Sequence, residues 1–186
     1  MNYKILDLKL LLICYCLSLT SFCHSIKAAE KVSLIHGIFS RSITIEEIED
    51  FTEKGIKKGF LKKIIKEKEE KKIREILKKE YNAPIILTSR LIYSDIGTAI
   101  LKRVSKIIYP FRINEERASI LALRASAIKA IDVGNEKINI VNFIKAYPSK
   151  VMAINVTELY KVLNKVESMS ELMKFYSDSP LEKLKK

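Results

Sequence analysis

The chain has 186 residues, with 34 basic against 22 acidic side chains and a formal net charge of +12. Its three cysteines, Cys14, Cys16 and Cys23, all fall within the first 29 residues, and only one of its two histidines, His36, falls beyond them. The remaining 157 residues can therefore form neither a disulfide framework nor a thiolate metal site, and one imidazole is too few for a zinc centre.

The first 29 residues carry four charges: Lys4, Asp7, Lys9 and Lys27. Residues 10–22 (LLLICYCLSLTSF) are charge-free, and small residues follow at Ala28 and Ala29. A basic head, an apolar run of this length and a small-residue exit read as a secretory signal peptide. A spanning helix needs about 20 apolar residues, so an inner-membrane anchor through an uncleaved leader is the second reading. The expected destination is the periplasm, a thylakoid lumen or the medium. Beyond the leader 31 basic and 21 acidic residues remain, a net of +10, of which residues 54–79 alone supply +8.

Residues 32–39 (VSLIHGIF) read as a strand ending at the polar Ser40, Arg41 and Ser42. Thr44 and Glu47 form a capping-box pattern for a short helix on Ile45, Ile48 and Phe51, stopped by Gly55. A basic helix is expected over 59–81, with the solvated stretch 66–72 (KEKEEKK) as the joint between two halves. Asn82, Ala83 and Pro84 form a turn before a helix over 85–92, with proline at its first position. Ser94 caps the next, 95–108, whose residues Ile96, Ile100, Leu101, Val104, Ile107 and Ile108 fall in one arc expected to be buried. Tyr109 and Pro110 break the pattern, and Asn114 is a cap for a long helix over 115–132 that ends before Gly134. Residues 139–147 read as helix, 151–155 (VMAIN) as strand and 157–174 as a last helix. The expected fold is mainly α: one helical domain, 30–176, of about seven helices with a small two-stranded sheet of 32–39 and 151–155, then a polar tail over 177–186.

No catalytic equipment is visible. A nucleophile elbow needs G-x-S-x-G, and the only glycines at that spacing, Gly55 and Gly59, flank Lys57. His36 stands among apolar strand residues, and the carboxylate pairs Glu46/Glu47, Glu69/Glu70 and Glu115/Glu116 suit helix starts and solvated faces. No catalytic residue, cofactor or metal is expected. Lys62, Lys63, Lys71 and Lys72 belong either to a solvated face or to a surface for anionic lipid or an acidic partner. Nucleic acid is not an expected partner, since no aromatic residue stands among the lysines of 62–72. Arg124 shares a helix face with Ile120, Leu121, Ile128 and Ile131, which requires a carboxylate (Glu47 and Asp95 are candidates) or helix-end carbonyls around it. Otherwise Arg124 would serve as an anion- or partner-contact residue.

Residues 41–55 (RSITIEEIEDFTEKG), 91–108 (LIYSDIGTAILKRVSKII), 116–131 (ERASILALRASAIKAI) and 138–148 (INIVNFIKAYP) resemble, in sequence and order, a cyanobacterial domain of unknown function, family 1400. The resemblance implies a domain that follows a signal peptide and precedes an α/β-hydrolase domain, which carries the catalytic triad. The sequence reaches Lys186 where that second domain is expected to start, so no catalytic residue carries over. The expectation is an exported, non-catalytic module that acts by contact with protein, a hydrolase included, or with a membrane surface. The alternatives are a hydrolase-associated subunit, an enzyme of unknown reaction, or a carrier of a small apolar ligand between helices. Intact-mass analysis of the protein from its host should show loss of about the first 29 residues; a full-length soluble cytoplasmic chain would refute export.

Overall fold

Residues 29–165 are described by the computed structural model; the expected leader, the end of the last helix and the tail lie outside them. The chain begins as a hairpin, β1 (Lys31–His36) and β2 (Phe39–Thr44). Gly37, at φ +59°, supplies the left-handed first position of its two-residue turn, a conformation that costs glycine little. The single strand expected over 32–39 is thus two strands, and Ser40, Arg41 and Ser42 belong to the second. They are polar because β2 is an edge of the sheet, where one side faces water.

Thr44 ends β2 and opens α1 (Ile45–Lys54). The Glu47 amide donates to Thr44 Oγ1 at 3.2 Å, and the Thr44 amide donates to Glu47 Oε2 at 2.9 Å. Gly55, at φ +75°, closes the helix. The expected basic helix is two pieces, α2 (Leu61–Ile64) and α3 (Glu67–Lys78). Their joint is Ile65 and Lys66, just ahead of the expected one, because burying Ile65 requires the chain to turn there. Lys66–Lys72 opens α3 instead of breaking it. Arg74 of α3 reaches back to the end of α1, donating to the carbonyls of Thr52 and Glu53, which α1 itself leaves unpartnered.

Tyr81, expected in that helix, lies in β3 (Tyr81–Asn82), which pairs with β5 (Lys137–Ile138). Pro84 caps α4 (Ile85–Tyr93) from outside, and Ser94 caps α5 (Asp95–Val104), its hydroxyl accepting from the Gly97 amide. Helix α5 stops at Val104, so Ile108 is not on its face but in β4 (Ile108–Pro110). Pro110 is accommodated because β4 is the other edge of the sheet. The long helix α6 (Glu116–Val133) starts from Glu115 with no side-chain cap, which removes the role expected of Asn114. Asn139 caps α7 (Ile140–Lys145), β6 (Val151–Asn155) occupies the expected residues, and α8 covers 156–165.

The chain is mainly helical, as expected, with eight helices among the described residues. The sheet is larger than the expected pair: four strands in the order β2-β1-β6-β4, with β1 and β6 parallel and the outer pairs antiparallel. Val32, Ile43, Phe51, Leu61, Leu123, Ile144, Tyr147 and Met152 pack into one core beneath it. Within α6, Ser119, Ala122, Leu123, Ser126 and Ala130 form the close-packed face, and Ser126 Oγ donates to the Phe143 carbonyl of α7 at 2.6 Å.

Tyr147 is fully buried with no hydrogen-bond partner for its hydroxyl among the described residues, and burial pushes its pKa well above the usual phenol range. An unpaired buried hydroxyl costs free energy that phenylalanine avoids at nearly the same volume. Tyr147→Phe should therefore leave the melting temperature unchanged or raise it, by up to about 1 kcal/mol of stability. A clear loss in thermal denaturation would show that the hydroxyl has a partner.

Candidate functional site

Two helices meet at a tight corner, and Arg124 holds it. Ser94 is the single residue between α4 and α5. Its amide donates to the carbonyls of Arg90 and Leu91, and its hydroxyl donates to the Leu91 carbonyl at 2.7 Å. The first turn of α5 lies against the end of α4 so closely that a Cβ on Gly97 would stand 1.9 Å from the Leu91 carbonyl oxygen. Only glycine permits this approach.

Arg124 reaches the corner from the middle of α6 and is half-buried there. Its Nε donates to the Ile92 carbonyl at 3.0 Å, one of the last α4 carbonyls that the helix cannot satisfy itself. Its Nη2 donates to Thr98 Oγ1 of α5 at 2.7 Å, and its guanidinium carbon stands 4.7 Å from the centre of the Tyr93 ring. One planar cation therefore ties three helices together. The helix-end carbonyl expected around Arg124 is present. Neither candidate acid is among its partners: Glu47 is engaged at the α1 cap and Asp95 is exposed at the start of α5. Of the side chains expected beside Arg124, Ile120 and Ile131 are buried and Leu121 is exposed.

The corner presents apolar side chains outward. Ile86, Leu87, Leu91 and Tyr93 on α4, and Ile96 and Ile100 on α5, are all more than half exposed, with Ile96 at 71 %. Leu87 and Leu91 stand one turn apart, as do Ile96 and Ile100. The expected burial of the Ile96–Ile100 stripe is corrected here. The inward side of α5 is Gly97, Leu101 and Val104, because the corner turns that side against α4 and the core.

The remaining expected site residues lie elsewhere. Lys62 and Lys63 on α2, and Lys71 and Lys72 on α3, are exposed, with no carboxylate of the described residues within ion-pair distance. Other lysines of the segment are paired. Lys54 and Lys58 both bond Asp50, at 2.8 and 2.7 Å, and hold its carboxyl at a pKa of about 2. Lys57 pairs with Glu70 at 2.9 Å. His36 is exposed at the hairpin turn, with Nδ1 3.3 Å from Thr157 Oγ1. No group of three His, Cys, Asp or Glu side chains among the described residues is placed to hold a metal.

An apolar cavity of about 490 Å³ opens between β4, β6, α7 and α8, lined chiefly by Ile107, Ile140, Phe143, Met152, Ile154 and Leu159. Arg124 does not line it, so the arrangement of an apolar pocket with Arg124 at its mouth does not occur there. This hollow was not legible in the sequence, because its walls come from six elements, Tyr81 of β3 and Ile138 of β5 included.

Arg124→Ala leaves the Ile92 carbonyl and Thr98 hydroxyl without their donor, and should cost about 2 kcal/mol in thermal or urea denaturation. Lysine should restore less than half of that loss, because it cannot bond the carbonyl and hydroxyl as a planar fork over the ring. Stability unchanged in both variants would mean that the clamp does not bear on the fold.

Residues 28–155 match a sequence family described as an α/β-hydrolase of unknown function, DUF1400. No curated protein and no solved structure matches the chain. The match spans more than two thirds of the sequence and takes in β1 to β6, both helices of the corner and the arginine that clamps it. The chain belongs to the DUF1400 family.

Proposed function

We propose that this chain is an exported, non-catalytic module of its hydrolase family, and that it works by docking a protein partner on the apolar α4–α5 corner. The observation that carries this reading is six large apolar side chains exposed on two helices that Arg124, Ser94 and Gly97 hold in fixed relation. Soluble proteins seldom leave such a cluster to water unless another surface covers it. A preformed apolar face also binds without first being ordered, which lowers the entropy cost of association. The family description supports a hydrolase-type protein as the partner.

A second reading, hydrolase chemistry by this chain itself, draws on the same family description. It asks for a nucleophile beside a base, and the one imidazole among the described residues, His36, has Thr157 Oγ1 rather than a serine at hydrogen-bond distance. The sequence also lacks G-x-S-x-G.

A photo-crosslinking residue at Ile96, expressed in the native host, should capture a hydrolase-type chain, and the same residue at Lys71 should not. Ile100→Glu should abolish the capture with stability within about 0.5 kcal/mol of the parent, since the site is exposed. Equal capture at both positions, or ester turnover by the purified chain that disappears in His36→Ala, would contradict the proposal.

A further inference from the structure

The hairpin ends in an apolar tip surrounded by positive charge. In the β1–β2 ladder the pairs Val32–Ile43, Leu34–Arg41 and His36–Phe39 share one face of the sheet. Val32 and Ile43 belong to the core, but toward the turn that face leaves it. There Leu34, His36, Phe39 and Arg41 line an open cleft of about 310 Å³, facing Phe60 and Ile64 beside α2 and Val156 and Tyr160 of α8. At the turn itself Ile38 is 93 % exposed and Phe39 68 %, on a ladder of six residue pairs that keeps the tip from folding back.

Unpaired basic side chains gather around this tip. Arg41 lines the cleft, and Lys62 and Lys63 lie on α2 between Phe60 and Ile64, with Lys66 just beyond. None of these has a carboxylate within ion-pair distance among the described residues. The acids nearby are already engaged or lie outside the cleft: Glu158 of α8, between Val156 and Tyr160, pairs with Lys161 at 2.7 Å, Glu67 opens α3, and the Glu47 carboxylate is held by the Thr44 amide beside Gly59. No Asp or Glu lines the cleft.

We propose that the Ile38–Phe39 tip and the adjoining face of α2 form a membrane-contact surface that inserts into the interface of an anionic bilayer. A convex apolar tip offers a protein little complementary area, whereas a bilayer takes apolar side chains into the acyl boundary and meets the surrounding lysines and arginine with its phosphates. The surface lies on different elements from the α4–α5 corner and stands without the docking reading.

The sequence contains no tryptophan, so Ile38→Trp in the full chain is a single fluorescent reporter at the tip. With vesicles of equal parts phosphatidylglycerol and phosphatidylcholine at low salt, its emission should shift to the blue. The shift should be much weaker with pure phosphatidylcholine or at high salt, where exposed charges are screened. Ile86→Trp, on the α4 face, should show no shift in the same vesicles. This control separates insertion of the tip from tethering by residues 10–22. Charge reversal at Arg41, Lys62 and Lys63 together should weaken binding by about a hundredfold or more, at about fivefold per basic residue near the surface. Phe39→Ser should weaken it at least about tenfold with the melting temperature unchanged. No shift at position 38, or equal shifts at 38 and 86, overturns the proposal and leaves the tip to a protein partner or to solvent.

Discussion

Parallel pairing of β1 with β6 is the constraint on which the rest of the domain depends. It joins residues 31–35 to residues 151–155, and the Glu30 and Lys31 amides extend the junction by both donating to the Lys150 carbonyl. Parallel neighbours cannot be joined by a tight turn, so the connection between them must leave the sheet and return. Here that connection includes β2 to β5 and seven helices. Met152 and Ala153, at the centre of β6, are fully enclosed as a result, and Tyr147 enters the core just ahead of the strand. The antiparallel edges β2 and β4 then close the sheet on either side.

Within this frame the α4–α5 corner is held by few but strong contacts. Helix α4 has no fully buried side chain, and α5 has only Gly97. Burial alone gives such segments little resistance to local opening. Two donated hydrogen bonds from Arg124, together worth about 2 kcal/mol because the guanidinium stays partly open to water, supply what packing does not. The seven ion pairs among the described residues are mostly exposed, so water screens them and they add little. The arginine is therefore the decisive polar contact of this region, and it fixes an apolar face that is exposed to solvent.

What the sequence discloses follows from how local each signal is. The Thr44–Glu47 box, the Gly55 stop and the Ser94 cap each need only three or four neighbouring residues, and all are where the sequence places them. The β6 strand and its pairing with β1 are legible because their apolar runs have little other use. The second hairpin strand was hidden by Ser40, Arg41 and Ser42, whose polarity reflects an edge position that only the assembled sheet defines. Likewise β3 and β5, two residues each, exist only because the chain brings them together. Helical periodicity marked Ile96 and Ile100 as an apolar stripe, but periodicity cannot say whether a stripe meets the core or waits for another surface. Arg124 was legible as an anomaly, and its helix-end carbonyl partner with it. The hydroxyl of Thr98 and the ring of Tyr93 were not, because they arrive from residues 26 and 31 positions away.

The central claim is that the apolar corner is a rigid presented surface, and native-state hydrogen exchange of the amides in α4 and α5 tests it most directly. Despite their sparse burial, the amides of Leu91, Ile92 and Leu101 should open only with free energies close to that of global unfolding, as the amide of Leu123 in the core does. Exchange of the corner within minutes while Leu123 stays protected would show a frayed helix pair, and would contradict the account.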